Sequence, residues 1–518
     1  MKSLTKLWCE YYPLNCDKTD AIFTKRLFFQ KLEDVEQKDK PLYLTINTLT
    51  GAIDIFNTEE GKMVEEAIAV DSTHQLTEPL FQNMLSRGYI FTSHEIENLI
   101  FDTIVKQYKA KKYLKDEILG FFSLDNSCPM KCEYCFEKKH ADSGKGFENA
   151  IMDEESLKIA FNFLNTIKTI QQRKIEFVAG WGGEPLQTKN YELNKLFVKL
   201  ANKYNFPVAY FSNLAYVDKK IIDLLENDVH NLSFIQTTID DLGEKHNKFR
   251  QLPNAFEITV DNIDKLLKKG LSVGIRTNIG VHNIQSLPQI AQFYYDKGWF
   301  EYPKFRAYLT HISDRHREFE KKIVLPENEA VSIFLKLRDK YPLVRRFQGF
   351  KFGPSIKNIL EAFSLRESFH INKNCFEIKL EPTITPCSTL SRAEYVFTGK
   401  PNYSLYTCAE SVGISKFRFG NYCSKTPVDS KQLKFLGIQN GSIHEMRSVD
   451  TIKKCSMCKA AMFCGGHCLM EEINENGNAY DTYCRNSYES ISNFLKSETG
   501  RLYKRAKVLI EKSEHITL

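Results

Sequence analysis

Three cysteines, Cys128, Cys132 and Cys135, stand in the spacing C-x3-C-x2-C within the stretch Ser127–Phe136. Three thiolates can hold three corners of a cubane 4Fe-4S cluster and leave the fourth iron without a protein ligand, open to bind and polarise a small molecule. A structural zinc site would want four ligands, commonly in C-x2-4-C pairs, and His140 is available as the fourth, so this loop alone leaves both readings open. A disulfide fits less well: three is odd, and nothing else in the chain points to secretion. Immediately upstream, Glu117–Leu124 is an apolar run of strand length, which puts the cysteines on the loop leaving a buried strand.

The other cysteines are unevenly placed. Of 14 in the chain, Cys9 and Cys16 lie at the start, nine fall between Cys375 and Cys484, and none lies between Cys135 and Cys375. In a cytosolic protein, clustered cysteines read as metal or redox ligands, so the partition predicts two metal-bearing regions, with Cys9 and Cys16 outside both. Cytoplasmic residence is itself an expectation. Residues 1–20 carry no apolar core ahead of a small-residue cleavage site, and no run of about eighteen apolar residues occurs anywhere. A length of 518 residues predicts more than one domain, and 42% apolar content allows a sizeable core. The net charge of +6 is mild for that length; it gives no sign of a nucleic-acid partner and would suit an acidic peptide.

The elements that must position the cysteine loop alternate. After the first strand, residues 153–164 form a helix with Leu157, Ala160, Phe161 and Leu164 at helical spacing. Strands follow at 174–180, 207–212, 232–239, 272–278 and 304–309, separated by helices at 191–204, 219–226, 255–269 and 287–297. Six strand–helix units predict a parallel sheet with outer helices, closed into part of a barrel. In such barrels chemistry sits at the C-terminal ends of the strands, where the cysteine loop falls. The next strand ends in Trp181–Gly182–Gly183–Glu184–Pro185; its glycines let backbone approach a ligand closely, and Glu184 could accept hydrogen bonds from an ammonium.

The three-cysteine loop followed by Gly-Gly-Glu-Pro at the next strand end resembles the radical S-adenosylmethionine (SAM) enzymes. The resemblance implies that the open iron chelates the amino and carboxylate groups of SAM. The reduced cluster then cleaves the sulfonium, giving a 5′-deoxyadenosyl radical that abstracts hydrogen from a substrate. It further implies that Gly182, Gly183, Glu184 and Pro185 receive the methionine amino group. Ser212–Asn213 resembles the family's Thr-Asn-Gly element with Leu214 in place of glycine. Thr238–Ile239–Asp240–Asp241 resembles Ser-Leu-Asp-Gly without its glycine, and His246 with Arg250 matches the "His-Asp … Arg" continuation with Asn247 in place of Asp. Ser212, Thr238, Arg250 and Arg276 would then contact the ribose or carboxylate of SAM. The fold implied is α/β: a partial (βα)6 TIM-like barrel over 111–312.

Towards the C-terminus, Cys455, Cys458, Cys464 and Cys468 give C-x2-C-x5-C-x3-C, with Cys484 beyond, while Cys387, Gly399 and Cys408 flank a hairpin-like stretch. This order is similar to the SPASM domain, which binds two auxiliary 4Fe-4S clusters; the Gly399-to-Cys408 gap is longer than that pattern. Carried over, Cys455, Cys458, Cys464 and Cys484 would hold the distal cluster. Cys387, Cys408 and Cys468 would hold the nearer one, with Cys375 or Cys423 as fourth ligand or none. On chemistry alone, two zinc sites remain the alternative. The SPASM-like region is placed at 375–490, a helical bridge with a helix at 327–341 and a loop at 347–352 at 313–374, and a C-terminal helix at 491–518.

Residues 1–110 carry no iron-binding pattern. Strands at 41–47 and 52–56 around a turn, helices from residue 58 and near 78–84, and a strand at 89–91 are compatible with a small winged-helix-like α+β domain; a polar, Lys-rich helix at 94–116 follows as a connector. The domain resembles the leader-binding domains of radical SAM enzymes that modify ribosomally made peptides, in which the leader adds as a strand to a hairpin edge. The expected activity is therefore that of a peptide maturase installing a thioether, C–C or ether crosslink or an oxidation. Its expected partners are a precursor peptide with a leader segment and a flavodoxin or ferredoxin-type reductant, with no nucleic acid and no membrane. An anaerobic sulfatase-maturase-like formylglycine-forming enzyme is the alternative. From another class, the rival is a non-catalytic iron–sulfur or zinc protein for peptide binding or electron transfer. No general base can be named from sequence.

Overall fold

The computed structural model describes residues 16–33, 40–113, 117–135, 137, 150–312, 323–347, 350–351, 356, 359–360, 383–385, 393–436, 447–470, 473, 477–480 and 487–514. His140, Cys375, Cys387 and Cys484 lie outside them. Among the described residues no helix is long and apolar enough to cross a membrane.

The N-terminal unit contains β1 (Ile22–Phe23), β2 (Leu27–Leu32), β3 (Leu42–Asn47), β4 (Ile53–Phe56), α1 (Thr58–Ala69), α2 (Glu78–Ser86), β5 (Ile90–Phe91) and α3 (His94–Tyr113). The expected β3–β4 hairpin forms, and β2 adds to it as a third antiparallel strand. The short β5 pairs instead with β1. Both β1 and β2 are too short, or too plain in pattern, to be read from sequence.

Then come β6 (Ile118–Asp125), α4 (Glu154–Gln171), β7 (Ile175–Gly183), α5 (Tyr191–Tyr204), β8 (Val208–Phe211), α6 (Lys219–Asn227), β9 (Leu232–Thr238), α7 (Gly243–Arg250), α8 (Ala255–Lys268), β10 (Val273–Ile279), α9 (Leu287–Asp296) and β11 (Phe305–His311). Strands β6 to β11 are joined in sequence order and all run parallel. This is the α/β architecture that the alternation predicts. Local chemistry sets the boundaries. Asp153 caps α4 in a reciprocal capping box with Ser156, Asp218 caps α6, and α5 ends on Asn205 in the left-handed region.

Alternation along each strand sorts two sets of side chains. Phe122 faces outward and meets Phe161 and Phe197 of the helices, at centroid distances of 4.6 and 5.3 Å. Phe121, Phe177, Phe211 and Phe234 face inward and meet one another at 5.3–5.8 Å. Those four rings form one apolar layer inside the barrel.

The sheet extends beyond the six strands on both sides. After α10 (Glu327–Lys340), β12 (Phe350–Lys351) pairs parallel to β11, where the sequence reads as a loop. At the opposite edge β13 (Glu394–Thr398) pairs parallel to β6, followed by antiparallel β14 (Ser404–Tyr406) and β15 (Gly420–Asn421). The hairpin before Cys408 is thus part of the barrel sheet, laid against the strand that leads to the three-cysteine loop. The chain's last elements are two helices, α11 (Ser487–Ser497) and α12 (Thr499–Glu514), rather than one.

The N-terminal unit is not packed as a separate module. One buried cluster joins Leu49, Phe56, Phe81, Phe101 and Val105 with Val449, Ile452, Cys455 and Met462 from the far end of the chain. The Lys-rich connector α3 is the shared wall: Phe101, Ile104 and Val105 are buried on one face, and Lys109 pairs with Asp450 at 2.8 Å.

Candidate active site at the mouth of the barrel

The cysteine loop leaves β6 at the C-terminal end of the parallel strands, beside the end of β7. Gly182 and Gly183 have φ of +83° and +54°. A side chain on Gly183 would come within 2.5 Å of the backbone of Asp125 and Asn126, closer than a Cβ can approach, so only glycine brings the two strand ends together. The contact is fastened by the Glu184 N–H, which donates to the Ser127 carbonyl at 3.0 Å. Asp125, buried beneath, accepts from Ser127 N at 2.9 Å and Asn190 Nδ2 at 3.0 Å, and pairs with Lys189 at 2.8 Å.

Glu184 is buried. Its carboxylate accepts from Ser212 Oγ at 2.6 Å, Asn213 N at 2.7 Å and Leu186 N at 3.0 Å. Burial lifts its pKa to about 7 against those donors. Ser212 is therefore engaged with Glu184, and Asn213 Nδ2 lies 3.9 Å from Cys128 Sγ. A second carboxylate, the half-buried Glu137, accepts from Gly183 N at 2.9 Å and is also lifted to about 7, by desolvation and then by Glu184. Sequence reasoning missed it, although it stands two residues after Cys135.

Across the mouth a polar network centres on Asp240. This buried carboxylate accepts from the Tyr134 hydroxyl at 2.7 Å and from Asn278 N and Nδ2 at 3.1 Å, and pairs with Arg250 at 2.8 Å. Burial alone would raise the Asp240 carboxyl, but the Arg250 charge and the donors Tyr134 and Asn278 bring it below the usual carboxylate range. His246, whose Nδ1 accepts from Asp240 N at 3.2 Å, is held neutral by burial, with its pKa down at about 3. Arg250 Nη1 also donates to Cys132 Sγ at 3.4 Å. The structure thus places Arg250 on the cysteine loop and Asp240, where sequence reading expected a ligand contact. Thr238 and Arg276 end up side by side in register on β9 and β10, and the buried Arg276 Nε has no hydrogen-bond partner among the described residues. Tyr134, Asp240 and Asn278 were missed as a set, since only the fold brings them together.

Replacing Asp240 by alanine leaves Arg250 as a buried, uncompensated charge, and the expected destabilisation is about 3–5 kcal/mol, read as a lowered urea midpoint. Asp240→Asn, which keeps the shape, should lose less.

The C-terminal cysteines form a second locus. Cys455, Cys458 and Cys464 line one cavity together with Gly466, His467 and Ser487. Gly466, at φ +87°, forms its wall: a Cβ there would meet Ile452 Cδ1 at 2.7 Å and lie 3.6 Å from Cys455 Sγ. Burial would raise the Cys464 thiol, but His467, the Ser487 hydroxyl at 3.1 Å and the Gly466 N–H bring it down to about 7. A thiol so placed is ready to be a ligand. Cys468 does not line this cavity and packs on the main core. His467, Ser487 and Gly466 carry no sequence signal beyond their neighbourhood to cysteines.

Cys408 and Cys423 follow neighbouring antiparallel strands. Cys408 continues β14 past Tyr406, whereas Cys423 follows β15, whose Asn421 is level with Ser404. Cys423 therefore leaves the hairpin from the opposite end. It is exposed and lies near Asp153 and Glu155. The sequence expectation leaves Cys375, Cys423 or neither as the partner of Cys408, and Cys423 leaves the hairpin from the end opposite Cys408. Among the described residues no three His, Cys, Asp or Glu side chains close on a single metal ion; a cubane, whose thiolates attach to different irons, needs no such closure.

Residues 123–294, which carry most of this parallel sheet and its mouth, match the model of the radical SAM superfamily. Domains of that superfamily use a 4Fe-4S cluster and SAM. In more particular terms, Fe-coproporphyrin III synthase of Methanosarcina barkeri (strain Fusaro / DSM 804) is 23% identical over 169 residues, which are 33% of this chain and 39% of that protein. The chain thus matches well under half of that relative's length. The structure of Streptococcus suis SuiB bound to precursor peptide SuiA covers 90% of this chain and 99% of that one, at 12% identity and a TM-score of 0.51. Polyhistidine-tagged anSMEcpe with bound AdoMet covers 76% of this chain and 99% of that one, at 17% identity and a TM-score of 0.51. At these identities the likeness is one of fold.

Proposed function

We propose that the protein is a radical SAM enzyme that matures a peptide, with Cys128, Cys132 and Cys135 holding the cluster that binds SAM. The observation that carries this reading is the fastening of Gly182–Gly183–Glu184 onto the cysteine loop. A mere electron carrier or zinc scaffold has no need of a buried carboxylate and two left-handed glycines beside its cysteines. The donor set fits the cofactors: three soft thiolates, two of them within reach of N–H donors from Asn213 and Arg250, next to the Glu184 carboxylate for an ammonium. When bound, the reduced cluster and SAM supply a 5′-deoxyadenosyl radical for hydrogen abstraction.

This chain's own residues give that chemistry its place. Glu184 and the Gly183 backbone receive the amino group. Asp240, through Arg250 and Tyr134, orients the loop carrying Cys132. Cys455, Cys458 and Cys464, with Cys484, would hold one auxiliary cluster. Cys408 and Cys468, with Cys387 and with Cys375, Cys423 or no fourth ligand, would hold the other. These clusters would accept the electron left after hydrogen loss and ring closure. The three-stranded N-terminal sheet supplies strand edges to which a leader can add. SuiB, bound to its precursor peptide SuiA, is a fold relative that supports a peptide substrate.

The test is anaerobic incubation of reconstituted, reduced protein with SAM and a short peptide encoded beside its gene. The expected result is 5′-deoxyadenosine together with a peptide lacking two hydrogens. Turnover on a sulfatase-derived peptide, giving formylglycine, would reassign the substrate. A fully loaded protein that never cleaves SAM would sink the enzyme reading.

A further inference from the structure

Arg26 is the most deeply buried cation of the N-terminal unit, with 0% of its surface exposed. Its Nη1 pairs with Glu97 Oε1 at 2.8 Å, and Glu97 is equally buried. Glu97 also accepts from Thr24 Oγ1 at 2.7 Å and lies 3.1 Å from His94 Nδ1. The guanidinium stacks 4.3 Å over the Phe101 ring. Two features do not belong to a pair that merely closes its own domain. Arg26 Nη2 reaches across to the Ser456 carbonyl, between Cys455 and Cys458, and its buried Nε has no hydrogen-bond partner among the described residues. Further along the same seam, the Thr48 N–H donates to the Arg26 carbonyl at 3.3 Å, while Thr48 Oγ1 donates to the Lys459 carbonyl. The N-terminal unit thus grips the C-x2-C loop on both sides of Cys458.

The electrostatics run the same way. Burying a guanidinium is costly unless it is compensated, and Glu97 offsets only one edge of it. The loop it touches bears two cysteines that line the C-terminal cavity. Thiolates there would place negative charge beside the fork of Arg26, and the Cys458 sulfur is already within its electrostatic reach. Peptide groups and cations around cluster sulfurs raise the reduction potential by stabilising the more negative, reduced state.

We propose that Arg26 is a positioning residue that the N-terminal unit supplies to the C-terminal cysteine centre, bracing the Cys455–Cys458 loop and holding its cluster at a higher reduction potential. This rests on the reading of Cys455, Cys458 and Cys464 as cluster ligands.

The experiment compares wild-type protein with Arg26→Lys, Arg26→Met/Glu97→Leu and Cys455→Ala/Cys458→Ala, all anaerobically reconstituted. Iron and sulfide are counted, and each cluster's midpoint potential is followed by electron paramagnetic resonance. The cysteine variant identifies the signal of this cluster by its loss. Expected for Arg26→Met/Glu97→Leu, which leaves no lone buried charge, is either a lowered midpoint potential of that cluster alone or its selective loss. Arg26→Lys, which keeps the charge, should shift it less. An unchanged potential at full iron content in the double variant would overturn the proposal and leave Arg26 as a partner for Glu97 only. If the cysteine variant binds as much iron as the wild type, it is the ligand reading that fails, and the proposal with it.

Discussion

Replacing Cys128, Cys132 and Cys135 together by alanine is expected to abolish 5′-deoxyadenosine formation while leaving a folded protein. The loop lies at the mouth of the barrel, with Cys128 exposed and Cys132 and Cys135 half-buried. Little core is therefore lost with the three thiols. In reconstituted protein, iron should fall from about twelve to about eight atoms per chain, the loss of one cubane out of three. The same protein should keep the absorbance of the C-terminal clusters. Only about four irons in the wild type, with zinc in the C-terminal region, would remove the auxiliary clusters from the proposed mechanism. About twelve irons unchanged by the substitution would mean that the loop is no cluster site, and the radical reading would go with it.

Glu184 carries the second large effect. Glu184→Ala strands the Ser212 hydroxyl and the N–H groups of Asn213 and Leu186. At about 1–3 kcal/mol for each buried group left unsatisfied, the variant should lose about 3 kcal/mol or more of stability. Glu184→Gln keeps the shape and separates stability from binding. It should weaken SAM binding by at least about tenfold, because a charge-assisted contact with the ammonium is lost. The pH dependence has a definite sign. Burial raises Glu184 from 4.5 to about 7, so its contribution to stability is complete below pH 4.5 and is lost as pH rises through 7, on the order of 3 kcal/mol in all. Binding of SAM runs the other way. The ammonium needs the carboxylate, so affinity should rise with pH up to about 7 and then level off. Urea midpoints and SAM titrations between about pH 5 and 8 check both slopes. Glu137, also at about 7, titrates with Glu184, so Glu184→Gln should flatten the slopes only in part.

The two effects differ in how visible their causes are from sequence. Cysteine spacing is read directly, because thiolate chemistry is specific and the ligands of one cluster lie close along the chain. The strand–helix alternation was equally legible: Tyr191–Tyr204 and Ala255–Lys268 follow the periods of their apolar residues. Short strands such as Phe350–Lys351 and Ile22–Phe23 were harder, since two residues hold no period and form only because a neighbouring edge accepts them. Arg250 shows the same divide within the site. The resemblance implied a SAM contact for Arg250; its contacts to Asp240 and Cys132 come from neighbours that only the barrel brings beside it.

By itself the sequence determined the cysteine loop, the glycine pair before Glu184, and the parallel barrel that sets both at one end. These are local facts, written in residues a few positions apart or in the strand and helix periods of about 2 and 3.6 residues. Tertiary structure alone decided that the hairpin before Cys408 extends the barrel sheet, that Cys408 and Cys423 leave that hairpin from opposite ends, and that Arg26 reaches the Cys455–Cys458 loop. Each of those depends on contacts between distant parts of the chain. Burial and close approach choose such contacts, and no spacing in the sequence records them.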